Sequence, residues 1–96
     1  MPKKKVDYKQ KYHDHFGIID GEAVDEYEFI VKNRIVMANK VHHILFGAHK
    51  TDDIENLMAL TDDGTTNSNH GKCHDEQLNR YYMKEIHLQF MNNNPY

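Results

Sequence analysis

The sequence predicts a small α+β protein in which a short β-hairpin packs on a long C-terminal helix, after an N-terminal extension of helix and strand. Apolar and aromatic residues recur at every fourth position near both ends of the chain, which is typical of helices with one buried face. Near the C-terminal end this stripe runs through Leu78, Tyr82, Ile86 and Phe90. Between the two stripes, short apolar and β-branched runs are separated by turn residues, which indicates strands.

The N-terminal part of the chain predicts a basic head followed by a helix. Residues 1–5 contain three consecutive lysines and predict a disordered segment. Residues 6–16 predict the first helix, because an aromatic residue occurs at every fourth position. These aromatic residues are Tyr8, Tyr12 and Phe16. Gly17 follows as a suitable C-terminal cap, so we expect the helix to end there.

The middle of the chain predicts short strands joined by loops. Residues 18–24 predict a loop or a short strand, and residues 26–36 predict a strand that could break at Asn33, since β-branched and aromatic side chains predominate. Residues 41–45 and 56–60 are short apolar runs on either side of a charged loop. We expect these last two runs to form the hairpin.

The C-terminal part predicts a polar loop and then one long helix. Residues 61–69 are rich in Asp, Thr, Asn and Gly, which is the chemistry of turns. Ser68 or Asn69 can cap the helix that follows, and residues 92–96 end it. On this helix we expect Tyr81 and Tyr82 to lie in the core, and His87 to be at the surface or partly buried.

Length and composition limit the classes of protein that the chain can represent. Ninety-six residues form one domain with one modest core. A net charge of −3 excludes a generic polyanion binder, so any affinity for DNA must come from local basic patches. The one cysteine, Cys73, excludes an internal disulfide and a four-cysteine zinc site. The sequence has no apolar run long enough to predict a membrane span, and we expect an intracellular protein without a membrane partner.

The eight histidines are the most unusual feature of the composition, since imidazole is the commonest metal ligand in proteins. His70 and His74 are four positions apart at the predicted start of the long helix. That spacing places two side chains one turn apart on one helix face, where they can share one metal ion. The alternative is a pair of surface histidines whose spacing has no function.

A second pair, His42 and His43, lies in the first strand of the predicted hairpin. Neighbouring residues of a strand face opposite sides, so one imidazole can bind a metal ion while the other remains beside it. A metal ion next to a free imidazole is suited to hydrolysis, because the imidazole can take a proton from water. Asn56 opens the next strand and can bond to backbone across the loop, or can be an ordinary turn residue.

The combination of His42-His43, Asn56, and His70 with His74 resembles the HNH nuclease superfamily. The phrases VHHI, DDIENLMAL and HGKCH are similar to those of small phage and bacterial HNH endonucleases, and colicin-type DNases share the order HH…N…HxxxH. The resemblance covers residues 41–74 well and residues 75–91 loosely.

The resemblance implies a single HNH-like nuclease domain over residues 6–96, built around a ββα-metal finger. His42, His70 and His74 would bind one divalent ion, which could be Zn, Ni, Mn or Mg. His43 would be the general base, and Asn56 would orient it and brace the hairpin. The implied reaction is hydrolysis of phosphodiester bonds in DNA.

The sequence departs from the family in two respects. Cysteine pairs that bind a structural zinc in many small phage relatives have no counterpart in this chain, so we expect no structural zinc. The segment between Asn56 and His70 is longer than is usual, which leaves the register of the last two ligands open. Besides the motif histidines and Asn56, four basic side chains are candidates for phosphate contacts. They are Lys50, Lys72, Arg80 and Lys84.

Two other functions are compatible with the same sequence. The first is a catalytically weak or inactive HNH-like accessory or inhibitor protein of a phage or mobile element, which binds nucleic acid, a packaging protein or a host protein. The second is a metal-binding structural domain without catalysis. The presence of both His42 and His43 favours catalysis, since a scaffold needs no free imidazole beside the ion.

Overall fold

A computed structural model describes residues 7–44, 51–63 and 80–96, and these residues form a small α+β structure with a two-stranded antiparallel sheet and helices. The elements in chain order are α1 (Tyr8–Phe16), α2 (Glu26–Val31), β1 (Lys40–His43), a 3₁₀ turn (Ile54–Asn56), β2 (Leu57–Leu60) and α3 (Arg80–Asn92). The predicted α+β class is confirmed. The predicted disorder of residues 1–5 lies outside the described residues.

The first helix begins and ends as the sequence predicts. The Asp7 side chain accepts a hydrogen bond from the backbone N–H of Gln10 at 3.1 Å and caps the N-terminus. Gly17 follows Phe16 with φ of 66°, a left-handed conformation that glycine adopts without steric cost. The two capping residues therefore set the ends of α1, and the helix between them contains all three aromatic residues of the predicted stripe.

The strand predicted over residues 26–36 is wrong, because its first half is the helix α2. The Asp25 side chain accepts a hydrogen bond from the backbone N–H of Glu28 at 2.9 Å, which caps this helix. Asn33, just past the helix, has φ of 52° and turns the chain away. The N-terminal extension thus contains two helices, and the only strand-like pairing described in it is an isolated bridge between Val24 and Met37.

The two predicted hairpin strands are confirmed as β1 and β2, which pair antiparallel. The register places His42 opposite Met58 and His43 opposite Leu57. Asn56 closes the 3₁₀ turn just before β2 and is not its first residue.

The sheet has a hydrophobic cluster on each face. The cluster on the α1 side consists of Tyr12, Ala23, Ala38, Val41, Leu57 and Ala59. The cluster on the α3 side consists of Ile44, Met58, Leu60, Met83 and Ile86. Successive residues of β2 alternate between the two clusters, as a regular strand requires.

The buried face of α3 differs from the predicted stripe. Its buried residues are Met83, Ile86, His87 and Phe90. Tyr82 is 47% exposed and Tyr81 is 77% exposed, so the prediction that both lie in the core is wrong. His87 is fully buried, which is also contrary to the prediction. The helix ends at Asn92 as expected, but its predicted start and Leu78 lie outside the described residues.

Among the helices that the structure describes, none is long and apolar enough to cross a membrane.

Candidate functional site

The hairpin separates the two neighbouring histidines. His43 lies two positions after Val41 and therefore on the same face of β1, the face of the cluster on the α1 side. It also pairs with Leu57, which belongs to that cluster. His42 pairs with Met58 of the α3-side cluster. The imidazole of His42 therefore faces the long helix, and that of His43 faces α1. Both residues are buried.

His43 contacts a carboxylate and an aromatic ring. Its Nε2 lies 2.8 Å from Oδ1 of Asp52, nine positions further along the chain. The ring of Tyr8, the first residue of α1, packs edge-on against the imidazole with 4.4 Å between ring centroids. These two contacts hold the imidazole from two sides.

Asn56 organises the backbone around Asp52. Its side-chain amide donates to the carbonyl of Thr51 at 2.9 Å, and its backbone N–H donates to the carbonyl of Asp53 at 2.8 Å. The Asn56 carbonyl in turn accepts from the backbone N–H of Ile44 at 2.9 Å. Asn56 thus joins the end of the loop to the residue after β1. Its contacts brace the hairpin, and its role in catalysis stays a prediction.

Of the three predicted metal ligands, His42 is the one that the structure describes. His70 and His74 lie outside the described residues. Within residues 7–44, 51–63 and 80–96, no three His, Cys, Asp or Glu side chains are grouped so that they could hold a metal ion. The metal site stays a prediction.

The structure describes two of the four residues that are predicted to contact phosphate. Arg80 and Lys84 are both exposed on α3, four positions apart and so one turn from each other on the helix surface. Lys50 and Lys72 lie outside the described residues. Both side chains are accessible at the surface, and their use in binding nucleic acid remains a prediction.

A buried polar cluster lies beneath the hairpin, centred on Glu26. Oε2 of Glu26 accepts hydrogen bonds from the Tyr12 hydroxyl at 2.5 Å and from the Ala59 backbone N–H at 3.0 Å. Oε1 lies 2.5 Å from Nδ1 of His87, whose Nε2 lies 2.7 Å from the carbonyl of Ile54. Glu26, Tyr12 and His87 are each fully buried. The cluster joins α1, α2, α3, the 3₁₀ turn and β2.

The contacts of this cluster determine where its protons lie. A carbonyl only accepts, so Nε2 of His87 must carry a proton. Burial by itself would lower the pKa of His87, but the hydrogen bond and charge of Glu26, together with the Ile54 carbonyl, raise it above its ordinary value. Burial also raises the pKa of Glu26, against the effect of its donors. The pair consequently keeps its shared proton to a higher pH than a free imidazole would.

Burial and the nearby Glu26 raise the pKa of the Tyr12 hydroxyl, which stays protonated as a donor. This direction agrees with the geometry, because the carboxylate oxygen it faces already accepts a second hydrogen bond from Ala59. Tyr12 therefore serves the cluster as a fixed donor.

Sequence reasoning missed Asp52 and the cluster around Glu26. Asp52 lies in a run of loop residues, and no pattern distinguishes it from its neighbour Asp53. A signal for α2 was present, because Asp25 and Glu28 have the spacing of a helix N-terminal capping box. Glu26 carries no such signal, since glutamate is ordinarily an exposed residue.

Comparison of the chain with models of protein families, with curated proteins and with solved structures gives no match.

Proposed function

We propose that the chain is a metal-dependent HNH-type endonuclease that hydrolyses phosphodiester bonds in DNA, with His43 as the general base beside a single divalent ion. The observation that carries the proposal is the placement of two neighbouring histidines on opposite faces of one strand. His42 faces α3, the helix that follows the predicted ligands His70 and His74. His43 faces the opposite side of the strand, where its imidazole contacts Asp52. This is the division of roles that the HNH resemblance requires.

In this proposal the hairpin and α3 form a ββα-metal finger. His42, His70 and His74 would hold the divalent ion. Three imidazoles are a donor set suited to Zn or Ni, whereas for Mn or Mg the oxygens of water and phosphate would complete the coordination shell. When bound, the ion would stabilise negative charge on the phosphate. The orientation of His42 toward α3 fits this donor set.

His43 would supply the base. Because it faces away from His42, it can stay off the metal and accept a proton from the attacking water. Arg80 and Lys84 would contact the DNA backbone, because its negatively charged phosphates attract exposed cations.

A second candidate is an HNH-like accessory or inhibitor protein that binds nucleic acid, a phage packaging protein or a host protein without cutting. The net charge of −3 favours the forms of this candidate that bind a protein, since an overall acidic chain is a weak generic ligand for DNA. The two proposals differ in one property, which is whether the protein cleaves DNA at all.

The test is nicking of supercoiled plasmid by the purified protein, with EDTA and with a series of Zn²⁺, Ni²⁺, Mn²⁺ and Mg²⁺. We expect cleavage with at least one metal and none with EDTA. His43→Ala should lower the cleavage rate at least about 100-fold, since a positioned general base contributes roughly 10²- to 10⁴-fold. Binding of metal and of DNA should persist in that variant.

The matched control is His15→Ala, which removes an exposed imidazole from the end of α1. It should cleave at the rate of the parent. A parent protein that never cuts with any of the four metals would favour the accessory protein. Normal cutting by His43→Ala would contradict the assignment of the base.

A further inference from the structure

We propose that Asp52 is a positioning residue that holds His43 with its proton on Nε2 and leaves Nδ1 free to accept a proton from water. This inference rests on the proposed nuclease function. Its starting point is the 2.8 Å separation between Nε2 of His43 and Oδ1 of Asp52, which is the distance of a hydrogen bond. The His43 side chain is 9% exposed and that of Asp52 is 36% exposed, so water screens this contact only in part.

The chemistry of the two groups determines the direction of the hydrogen bond. An ionised carboxylate only accepts, so the nitrogen that faces it carries the proton. In a neutral imidazole the other nitrogen then has the lone pair. Asp52 therefore selects the tautomer in which Nδ1 is the basic atom.

Asp52 is itself held in place by Asn56. The carbonyls on either side of Asp52, those of Thr51 and Asp53, accept hydrogen bonds from the side chain and the backbone of Asn56 respectively. The edge of the Tyr8 ring packs against the imidazole of His43 and limits its rotation. Asn56 thus acts on the base through Asp52, which gives a physical reason for an Asn at this position.

The proton transfer balances with these groups. The water oxygen forms a bond to phosphorus, and the water proton passes to Nδ1 of His43. The bond from phosphorus to the leaving sugar oxygen breaks, and that oxygen keeps the electron pair and takes a proton from solvent. The imidazolium, now protonated on both nitrogens, is stabilised by the negative charge of Asp52 until Nδ1 returns its proton to solvent.

The first part of the test observes the tautomer directly, without metal or DNA. Long-range ¹H–¹⁵N correlation spectra report which imidazole nitrogen carries the proton. We expect His43 of the parent to carry it on Nε2, and Asp52→Ala to show a mixture of tautomers. His87 is an internal control in the same spectra, because both its nitrogens are bonded within the buried cluster and should be unchanged in a folded variant.

The second part measures cleavage. Asp52→Ala should lower kcat about 10- to 100-fold, the range by which partners that orient a metal-bound histidine usually act, with unchanged affinity for DNA. Asp53→Ala is the matched control, because it removes an exposed carboxylate one position away whose side chain makes no capping hydrogen bond. This control should keep both the tautomer and the rate.

The outcomes separate this inference from the proposed function. A proton on Nδ1 in the parent, or a tautomer that Asp52→Ala leaves unchanged, overturns the role of Asp52 even if the parent cuts DNA. Parent-like cutting by Asp52→Ala overturns it as well. If the parent never cuts, the nuclease function itself fails and so does the catalytic role of Asp52, whereas the spectra still show whether the contact forms.

Discussion

Nε2 of His87 donates a hydrogen bond to the main-chain carbonyl of Ile54, over 2.7 Å. Ile54 is the first residue of the 3₁₀ turn that ends at Asn56. The long helix therefore fixes the backbone of the turn whose last residue, Asn56, holds the segment around Asp52 beside His43. A change in the buried cluster should for this reason affect the candidate site as well as stability.

The stability of the protein should depend on pH through His87. An unfolded histidine titrates near pH ~6.5, and the pKa of His87 is raised in the folded state. Above about pH 6.5 the folded state consequently binds more protons than the unfolded state, so the free energy of unfolding should fall as pH rises and be highest below that pH. Urea unfolding at a series of pH values from roughly 5.5 to roughly 9 measures this dependence.

Removing His87 should flatten this dependence and lower stability. His87→Gln removes the charged partner of Oε1 of the buried Glu26, and breaking such a buried pair costs about 3–5 kcal/mol. Gln89→Ala is the control for a change on the same helix, since Gln89 is exposed. If His87→Gln does not fold, titration of the parent's His87 by NMR gives the direction of its pKa. A pKa below about 6.5 would contradict the prediction.

The hydroxyl of Tyr12 should stabilise the fold by itself. Tyr12→Phe keeps the ring, whose centroid lies 4.7 Å from that of Phe16, and removes only the donor to Glu26. We expect a loss of about 1.5–3 kcal/mol, the usual value for a hydrogen bond to a charged group. Tyr82→Phe removes a hydroxyl from a half-exposed ring and should change stability by less than about 0.5 kcal/mol. Equal effects of the two changes in urea unfolding would refute this role.

Asn56 should matter more for cleavage than its contribution to stability suggests. Asn56→Ala removes the donor to Thr51 and should cost about 1 kcal/mol or somewhat more, and it should also slow cleavage. Asn39→Ala is a matched control, because Asn39 makes a similar side-chain clamp on Asp62. Asn39→Ala should lower stability while keeping the cleavage rate of folded protein. A parent-like Asn56→Ala would make Asn56 an ordinary turn residue.

The predicted metal ligands can be tested by calorimetry with a divalent ion. The double change His70→Ala and His74→Ala, and the single change His42→Ala, should each lower affinity by more than about 100-fold, since even residues behind the ligands contribute roughly 10- to 100-fold. His15→Ala should keep the affinity of the parent, and a loss in that variant would point to a site at His13 and His15. Unchanged affinity in the double variant would place the site elsewhere, with His13 and His15 as the next candidates.

Binding to DNA should be sensitive to salt and weakly selective for sequence. Replacing Arg80 and Lys84 by Gln should reduce the slope of log affinity against log salt by about 1 for each lost phosphate contact. Lys40→Gln is the control, since Lys40 is exposed at the opposite end of β1 from His43. Lys50 and Lys72 can be tested in the same way. Selective binding with little dependence on salt would contradict these contacts.

Local patterns in the sequence predict α1 and the hairpin because each depends on neighbouring residues. The stripe of α1 and its cap Gly17 lie within one short window, and so do the apolar runs of the strands. The helix α2 was missed because its aromatic and β-branched residues favour a strand. Its cap at Asp25, and the packing of α2 against α3, outweigh that preference.

The polar contacts of the site were not predictable from local patterns. Asp52 contacts His43 from nine positions further along the chain, and no local pattern in the sequence indicates that contact. His87 lies one position after Ile86 of the predicted stripe, so the buried face of α3 is wider than a spacing of four indicates. A fully buried Glu26 needs donors from distant segments, which no local window contains.

The arrangement around Glu26 also bears on how the chain folds. Its three partners are separated from it by 14, 33 and 61 positions along the sequence. Such non-local contacts raise the contact order and slow folding, because chain entropy is lost before the contacts stabilise the structure. The hairpin and long helix should therefore not be an autonomous unit. Cut from the first two helices, they would expose the donors of Ala59 and His87 without their acceptor, so the whole described chain should fold as one cooperative unit.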